Sequence, residues 1–239
     1  MDKLDVRVVI LAGGKGTRLK PLTVVFPKPL VPLGNRPVIE ILLRRLSRFG
    51  LQDVTVCTGY LAELIMAVCG DGSQFGIRIE YLKETSPLGT AGPLGSLVST
   101  AETFIVVNGD LLTTLDIGSM LRFHMEQQAD ATIGLHRRDV MIDFGVIEST
   151  PDGRFNGFSE KPTYHFEVSM GINIFNRGML KYVKQGEHLD MPDLIMKVHQ
   201  DGGKVACYRE DCYWLDIGRM DDYALAQQQF EENETQFLG

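Results

Sequence analysis

The sequence lacks the patterns that mark disulfide-rich, zinc-binding and membrane-spanning proteins. Its four cysteines include no C-x-x-C pair and its five histidines no H-E-x-x-H spacing, so neither a disulfide framework nor a zinc site is expected. The apolar run at residues 8–12 is too short for a signal-peptide core or a membrane span. We therefore expect reduced thiols in a cytoplasmic protein.

Positive charge is also scarce. The chain has 24 Lys and Arg residues against 31 Asp and Glu, a net charge of −7, which argues against nucleic acid or an anionic membrane as a partner. Residues 6–39 are the exception, because they contain no Asp or Glu but six basic residues: Arg7, Lys15, Arg18, Lys20, Lys28 and Arg36. A local positive field of this kind suits a polyphosphate.

The composition is that of a globular chain. Hydrophobic residues make up 44% of the 239 residues and charged residues 23%, which is enough to bury a sizeable core. No Ser/Pro-rich linker or internal repeat divides the chain. We predict one domain over residues 1–239, with lobes at approximately 1–130 and 131–239 and a cleft over the strand ends.

Apolar patterning in the first half alternates between strands and helices. It predicts strands at residues 6–11, 54–56, 77–81 and 104–107, and helices at 37–49, 61–69 and around 94–100. This alternation indicates a mostly parallel sheet with helices on both faces. The second half is predicted to be α+β, with strands at 131–135, 145–148, 154–159, 168–175 and 205–208 and helices at 192–199 and after Gly218.

A glycine-rich loop, LAGGKGTRL at residues 11–19, follows the first predicted strand. It matches neither a P-loop, which needs G-x-x-x-x-G-K-[ST], nor a dinucleotide fingerprint, which would need glycine at position 19. Adjacent glycines let backbone N–H groups approach phosphate, while the plain alternative is a tight turn with an exposed lysine and arginine. Arg18 can bind phosphate oxygens through two N–H groups, and Lys28, held between two prolines, offers a point charge.

Two carboxylates end short apolar segments that lie far apart in the chain. Asp110 ends VVNGD at residues 106–110, and Asp216 lies 106 residues later in WLDIG. Carboxylates at strand ends face the crevice of an open α/β sheet, and these two could share one Mg²⁺. Taken singly, each is equally well explained as a turn residue or a helix cap. Glu160 and Lys161 could bind a sugar hydroxyl and a phosphate, although exposed Glu–Lys pairs are common.

Taken together, these motifs resemble the sugar-1-phosphate nucleotidylyltransferases, or nucleotide-sugar pyrophosphorylases, and among them the mannose-1-phosphate and D-glycero-D-manno-heptose-1-phosphate guanylyltransferases. The matching segments occur in family order over nearly the whole chain: LAGGKGTRL and PLT within 11–23, FPKPL at 26–30, PLGTAG at 87–92, VNGD at 107–110, FGV at 144–146, EKP at 160–162, GI at 171–172 and WLDIG at 214–218. The resemblance implies the nucleotide-diphospho-sugar transferase fold. That is a Rossmann-like three-layer sandwich with a mostly parallel mixed central sheet, a nucleotide-binding first lobe and an α+β sugar-phosphate-binding second lobe.

The resemblance also implies roles for single residues. The catalytic residues become Arg18 and Lys28 on the nucleotide phosphates, Lys161 on the sugar phosphate, and Asp110, which shares a Mg²⁺ ion with Asp216. The residues implied to bind the nucleotide are Leu11, Ala12, Gly13, Gly14, Lys15, Gly16, Thr17, Glu84, Pro87, Gly89 and Thr90. Those implied to bind the sugar 1-phosphate are Asn108, Gly109, Gly145, Glu160, Lys161, Gly171 and Asn173.

The implied reaction is in-line attack of a sugar-1-phosphate oxygen on the α-phosphorus of a nucleoside triphosphate, with release of pyrophosphate. Glu84 favours GTP, because a carboxylate can accept hydrogen bonds from the two adjacent donors of guanine, whereas uracil and thymine offer one donor beside an acceptor. Two alternatives stay open: a uridylyl- or thymidylyltransferase for a glucose-type 1-phosphate, and a catalytically silent regulatory subunit that binds sugar nucleotides. The resemblance is also compatible with a homo-oligomer, such as a dimer.

Overall fold

The computed structural model describes residues 5–238. Its helices are α1 (Leu22–Val25), α2 (Val38–Arg48), α3 (Ala62–Cys69), α4 (Ile117–Glu126), α5 (Met191–Gln200) and α6 (Met220–Leu238). Its strands are β1 (Val6–Ala12), β2 (Pro32–Leu33), β3 (Arg36–Pro37), β4 (Asp53–Thr58), β5 (Arg78–Lys83), β6 (Thr103–Asn108), β7 (Leu111–Thr113), β8 (Ala131–Met141), β9 (Val146–Ser149), β10 (Phe155–Ser159), β11 (Thr163–Asn176), β12 (Val205–Arg209) and β13 (Trp214–Asp216). Within the described range, no helix is both long and apolar enough to cross a membrane.

Seven strands form one mixed, mostly parallel sheet in the order β12-β8-β11-β6-β1-β4-β5. Neighbouring strands run parallel, except that β11 is antiparallel to both β6 and β8. The predicted mostly parallel sheet is confirmed. The chain leaves β1 towards β4 and β5 on one side and returns to β6 on the other. In open α/β sheets, such a change of direction opens a crevice at the carboxyl ends of the strands.

The central strand β1 is buried on both faces. Val8 and Ile10 pack with α2, α3 and α4 on one side of the sheet, whereas Val9 packs with α5 on the other. All three side chains are inaccessible to solvent. A strand covered on both faces has no polar face, which explains the continuous apolar run in the sequence. A third cluster joins α6 to α2 through Phe230, Phe237 and Ile41.

Three predicted elements differ from the structure. The patterning predicts a helix around residues 94–100, but the structure has a 3-10 turn at Gly92–Ser96 and no helical residue at 97–100. A Cβ on Gly95 would lie 2.9 Å from the backbone carbonyl of Lys184, so a tertiary contact sets this backbone. Strands β8 and β11 are also longer than predicted. Their far ends pair with each other as an exposed antiparallel ribbon. Residues that are exposed on both faces need not show the apolar alternation that marks a half-buried strand.

Strands from both predicted lobes build the central sheet. The strand β6 of the first half pairs with β11 of the second, and β8 and β12 extend the same sheet. The predicted boundary near residue 130 therefore divides one continuous sheet. The separate roles of the two lobes stay a prediction.

Candidate active site

The glycine-rich loop leaves the end of β1 and folds back towards Lys28. Gly16 has φ 57°, in the left-handed region that favours glycine, and its carbonyl accepts a hydrogen bond from Oγ1 of Thr23 at 2.7 Å. A Cβ on Gly16 would lie 3.1 Å from Cβ of Lys28. Thr23 therefore closes the loop, and the loop lies directly against the lysine.

Lys28 is largely buried by the turn that carries it. Pro27 precedes a 3-10 turn at Lys28–Leu30, in which Pro29 and Leu30 are buried. The Lys28 side chain is 13% exposed, and its Nζ forms ion pairs with Oδ2 of Asp110 and, at 3.3 Å, with Oδ1 of Asp216. One ammonium group thus joins two carboxylates from distant parts of the chain.

Two short strands bring those carboxylates together. Asp110 follows the carboxyl end of β6, and the next strand, β7, pairs antiparallel with β13, which sets Leu111 opposite Asp216. The N–H of Ile217 also donates to the carbonyl of Asp110 at 3.2 Å. Asp216 lies beside Asp110 because of this strand pairing, which no local sequence pattern predicts.

Asp110 carries an oxygen without a protein partner. Its Oδ1 is buried and forms no hydrogen bond within residues 5–238, although a fifth of the side chain is exposed. Burial raises the pKa of the Asp110 carboxyl, the Lys28 ammonium opposes this rise, and the Asp216 carboxylate adds to it. Two neighbouring carboxylates with a free buried oxygen fit a hard divalent cation.

The donor set is small but suits Mg²⁺. The described part of the chain holds no group of three or more His, Cys, Asp or Glu side chains that could enclose a metal. Magnesium keeps several waters and usually takes one or two carboxylates together with substrate phosphates. Asp110 and Asp216 supply such a pair and are the residues that would hold the ion. Mg²⁺ itself stays a prediction.

Arg18 lies at the same end of the site. Its side chain is exposed and has no ion-pair partner among the described residues. A Cβ on Gly218 would lie 3.6 Å from Nη2 of Arg18 and equally 3.6 Å from Oδ2 of Asp216. The guanidinium is therefore close to the carboxylate pair and free to bind an anion.

A cavity of about 330 Å³ borders the glycine-rich loop and the carboxyl end of β6. This volume lies within the range of ligand pockets, about 300–1,000 Å³. The predicted residues that line it are Leu11, Gly13, Gly14, Glu84, Pro87, Gly89, Thr90, Asn108 and Asp110. Leu88 and Pro93 complete the wall and were not predicted. The fold thus brings most of the separate motifs around one space.

Glu84 is held against the glycine-rich loop. A Cβ on Gly13 would clash with its carboxylate, so a larger residue at this position would displace the Glu84 side chain. Burial raises the pKa of Glu84, and a hydrogen bond from the N–H of Leu88 opposes the rise. Glu84, Gly13, Gly14 and Pro87 also border a second cavity of about 510 Å³. The carboxylate therefore lies on a wall shared by two cavities.

Tyr60 links the glycine-rich loop to α1 and was not predicted. Its N–H donates to the carbonyl of Gly13 at 3.2 Å, and its hydroxyl donates to the carbonyl of Val24 at 3.3 Å. It lines the second cavity together with Lys15. In the sequence, a tyrosine after a strand-ending glycine looks like any surface tyrosine, so no signal identifies this role.

The PLGTAG segment is tied to the start of α5. The N–H of Thr90 donates to Oδ1 of Asp190 at 3.1 Å, and Oγ1 of Thr90 accepts from the N–H of Met191 at 2.7 Å. The carbonyl of Leu189 accepts from the N–H of Ala91 at 2.9 Å. The polar groups of Thr90 are therefore engaged within the protein, and Asp190, which was not predicted, is a partner.

The residues predicted for the sugar fall into two groups. Gly171 belongs to the first group, because a Cβ there would clash with the amide of Asn108 in the cavity wall. In the second group, a Cβ on Gly145 would lie 3.2 Å from Oε2 of Glu160. Lys161 follows with φ 43°, a conformation that costs a lysine on the order of 1 kcal/mol. In the described chain, no hydrogen bond or ion pair joins this second group to the carboxylate pair.

The remaining predicted residues offer mainly backbone. Ala12 is buried, and the N–H of Gly109 donates to the carbonyl of Leu11 at 2.9 Å. Thr17 is exposed at the start of a 3-10 turn. Asn173 is 3% exposed, and its buried Oδ1 has no hydrogen-bond partner among residues 5–238. Except for Thr17, these residues expose little side-chain surface that a ligand could contact.

A larger cavity, of about 580 Å³, lies away from these motifs. Residues of β8, β11 and β12 line it, and none of the predicted site residues does. Both arginines of this cavity already contact carboxylates, since Nε of Arg137 lies 3.2 Å from Oδ1 of Asp139 and Nη2 of Arg209 donates to Oε2 of Glu167 at 2.7 Å. We therefore place the candidate site at the smaller cavity, near which Arg18 and one oxygen of Asp110 have no partner within the described part of the chain.

Comparison with known proteins gives relatives along nearly the whole chain. The chain is 34% identical over 227 residues to mannose-1-phosphate guanylyltransferase of Mycobacterium tuberculosis, covering 92% of this chain and 63% of the relative. It is 33% identical over 237 residues to UTP–glucose-1-phosphate uridylyltransferase of Synechocystis sp., and the match covers 91% of this chain and 61% of that relative. The chain spans about three fifths of the length of these curated relatives. It is 31% identical over 227 residues to D-glycero-alpha-D-manno-heptose 1-phosphate guanylyltransferase of Aneurinibacillus thermoaerophilus, covering 93% and 97%.

Solved structures and a family model agree with these relatives. The crystal structure of HddC from Yersinia pseudotuberculosis has 26% identity and a TM-score of 0.73, covering 94% of this chain and 99% of that chain. HddC complexed with GMP-PN gives a TM-score of 0.74 at 25% identity, with the same coverage. The family model described as Nucleotidyl transferase matches residues 7–233. The chain therefore belongs to the nucleotidyl transferase family.

Proposed function

We propose that the chain is a sugar-1-phosphate nucleotidylyltransferase. It transfers GMP from GTP to mannose 1-phosphate or a heptose 1-phosphate, with Mg²⁺ and with release of pyrophosphate. The observation that carries this proposal is the meeting of Lys28, Asp110 and Asp216 beside a cavity walled by the glycine-rich loop and Glu84. Family membership and two relatives named as guanylyltransferases support it.

Glu84 supports GTP as the nucleotide donor. An ionised carboxylate only accepts hydrogen bonds, and guanine presents two adjacent donors, its ring N–H and its exocyclic amine. Uracil and thymine present a donor beside a carbonyl, whose lone pairs would face the negative charge. Because Glu84 is partly buried, an unmatched base would leave a desolvated charge without a partner, which is costly.

The chemistry requires charge neutralisation and alignment from this chain. A sugar 1-phosphate is ionised at neutral pH, so its oxygen attacks without a general base. The new bond forms to the α-phosphorus while the bond to the bridging oxygen of pyrophosphate breaks. Arg18 and Lys28 neutralise the triphosphate, and Lys161 orients the sugar phosphate. Asp110 and Asp216 would hold Mg²⁺, which supplies Lewis-acid stabilisation of phosphate charge when bound.

Two other functions remain as candidates. The 33% identity to a UTP–glucose-1-phosphate uridylyltransferase favours uridylyl or thymidylyl transfer to a glucose-type 1-phosphate as the second. The third, a catalytically silent sugar-nucleotide-binding subunit, is disfavoured because such a subunit has no need of the carboxylate pair. A homodimer and a cytoplasmic location stay predictions.

A pyrophosphate-release assay on the purified chain with Mg²⁺ separates these functions. GTP, UTP, dTTP and CTP are each combined with mannose 1-phosphate, heptose 1-phosphate and glucose 1-phosphate. We expect the highest kcat/KM for GTP with mannose or heptose 1-phosphate. A higher value for UTP or dTTP with glucose 1-phosphate would replace this proposal with the second candidate. Binding of sugar nucleotides without any pyrophosphate release would favour the silent subunit.

Asp110→Asn is the matched control for that assay. The substitution keeps the side-chain shape but removes one negative charge from the carboxylate pair. We expect turnover to fall by at least about 100-fold, while circular dichroism stays that of the unsubstituted chain. Near-normal turnover would remove Asp110 from the metal site.

A further inference from the structure

Lys28 lies where a divalent cation would otherwise balance the carboxylate pair. Its Nζ contacts one oxygen of Asp110 and one of Asp216, and an ammonium group can donate three hydrogen bonds at once. The Lys28 side chain is 13% exposed and that of Asp110 20%. Charges that are this poorly solvated need a partner, because an isolated one would be strongly unfavourable.

The charges at the site favour one cation at a time. Two carboxylates carry −2, and Lys28 already neutralises half of this charge. A divalent ion that binds while Lys28 stays in place brings the net charge of this group to +1. It also places like charges within a few ångströms of each other, where repulsion is strong. Arg18, which lies close to Asp216, adds to this repulsion.

We propose that Lys28 is an internal counter-cation of the carboxylate pair, which holds Asp110 and Asp216 together until a triphosphate draws its ammonium away and lets a divalent cation bind. This inference rests on the proposed function, because it takes the triphosphate as the competing partner of Lys28. By linkage, nucleotide and metal then strengthen each other's binding by the same factor.

The surroundings of Lys28 allow this exchange. Pro27 and Pro29 fix the backbone, and Gly16 lies against the Cβ of Lys28, so only the end of the side chain has to move. The neighbouring glycine-rich loop offers N–H groups and Arg18 to the same triphosphate. The buried Oδ1 of Asp110 has no partner in the described chain, so one metal-binding position is open even while Lys28 is in place.

Calorimetric titration with Mn²⁺ alone tests the inference without any turnover. The proteins are the unsubstituted chain and Lys28→Met, in which an unbranched side chain of similar length loses the charge. We expect Mn²⁺ to bind Lys28→Met at least about tenfold more tightly than the unsubstituted chain, because the competing ammonium is gone. Equal or weaker binding by Lys28→Met would overturn the inference.

A second arm adds GTP without a sugar phosphate. In the unsubstituted chain, Mn²⁺ should bind more tightly when GTP is present. The increase should exceed the contribution from Mn²⁺ binding to free GTP, which a titration without protein measures. This gain should shrink in Lys28→Met and persist in Lys28→Arg, which keeps the positive charge. An equal gain in Lys28→Met would contradict the inference.

Two control variants and one replacement variant keep the result interpretable. Lys20→Met removes one exposed positive charge from a neighbouring segment and should change Mn²⁺ affinity little. Asp110→Asn in the Lys28→Met background should abolish tight Mn²⁺ binding. If Lys28→Met fails to fold, Lys28→Gln replaces it. Failure of the chain to transfer any nucleotide would reject the proposed function and leave the titration with Mn²⁺ alone unaffected.

Discussion

Glu84 combines a cost in stability with a role in recognition. Burial raises its pKa above the usual value for glutamate, so ionisation is less favourable in the folded chain than in water. Below the ordinary pKa the group is protonated in both states and costs nothing. As the pH rises through the folded-state pKa, Glu84 ionises in the folded chain. This lowers the free energy of unfolding, which remains lower at pH 7. A carboxylate held in this way is suited to a ligand that donates hydrogen bonds.

Glu84→Gln should change both properties in opposite directions. The amide keeps an acceptor for the N–H of Leu88 but offers an NH₂ group where guanine also donates. We expect the ratio of kcat/KM for GTP over UTP to fall at least about tenfold. Urea unfolding should show a higher free energy of unfolding than the unsubstituted chain at pH 7, and the difference should disappear at pH 4. Unaltered base preference would show that the backbone alone reads the base.

Arg18 should matter for turnover and not for folding. It is exposed and has no ion-pair partner in the part of the chain that the structure describes, so Arg18→Ala should leave the thermal midpoint unchanged. Loss of a guanidinium aimed at the triphosphate should lower kcat at least about 100-fold. Lys20→Ala, an exposed cation two residues away, is the matched control and should stay close to normal. An equal effect of both variants would indicate a general loss of positive field.

Among the elements, α6 depends on arginines of α2 at its carboxyl end. Arg45 is 7% exposed and donates to the carbonyls of Gln236 at 3.2 Å and Phe237 at 3.4 Å, and to that of Leu115 at 3.0 Å. Cations near the carboxyl end of a helix satisfy carbonyls that have no partner within the helix. This contact fixes α6 on the core, and α6 follows directly from the segment that carries Asp216.

Arg45→Met should therefore loosen α6. Three carbonyls, two of them in buried hydrogen bonds, would lose a charged donor, which we expect to lower the free energy of unfolding by about 2–3 kcal/mol. Arg48→Met is the control, because Arg48 is exposed and donates to one carbonyl, that of Leu238, at 3.2 Å; it should cost about 0.5 kcal/mol. Urea unfolding measures both. Similar decreases in the free energy of unfolding for the two variants would show that the burial of Arg45 does not increase its contribution to stability.

For the whole molecule, the contact between PLGTAG and α5 links the two halves of the chain. Asp190 accepts hydrogen bonds from the N–H and hydroxyl of Thr90, and the N–H of Leu189 donates to the carbonyl of Leu88 at 2.9 Å. The cavity wall formed by the first half therefore owes its shape to residues about 100 positions later.

Asp190→Ala should weaken nucleotide binding more than turnover. Without the carboxylate, the Thr90 backbone loses its acceptor and the cavity wall gains freedom. We expect the KM for GTP to rise about threefold to tenfold, with a smaller change in kcat, and the free energy of unfolding to fall by about 1 kcal/mol. Asp193→Ala removes an exposed acid from the first turn of the same helix and should leave the KM unchanged. A rise of KM in both variants would point to helix stability instead.

Local sequence patterns predicted much of the fold. The apolar run of β1 and the helical spacing of α2 match their observed bounds closely, because burial on both faces or along one stripe leaves a period in the sequence. The helix expected around residues 94–100 is wrong, since Gly95 packs against the backbone of Lys184. The helix α4 went unpredicted, although Asp116 caps it by accepting from the N–H of Ser119 at 2.8 Å.

By itself, the sequence indicated the seven strands of the central sheet, the glycines that let the loop approach Glu84, and the family to which the chain belongs. The meeting of Asp110 with Asp216, the ion pairs of Lys28 and the link from Thr90 to Asp190 were decided by tertiary structure alone. Each of these contacts depends on how strands 100 or more residues apart pair and on how two halves of one sheet join. A local sequence pattern reflects the burial and backbone conformation of its own segment. It does not indicate which distant segment will lie beside it.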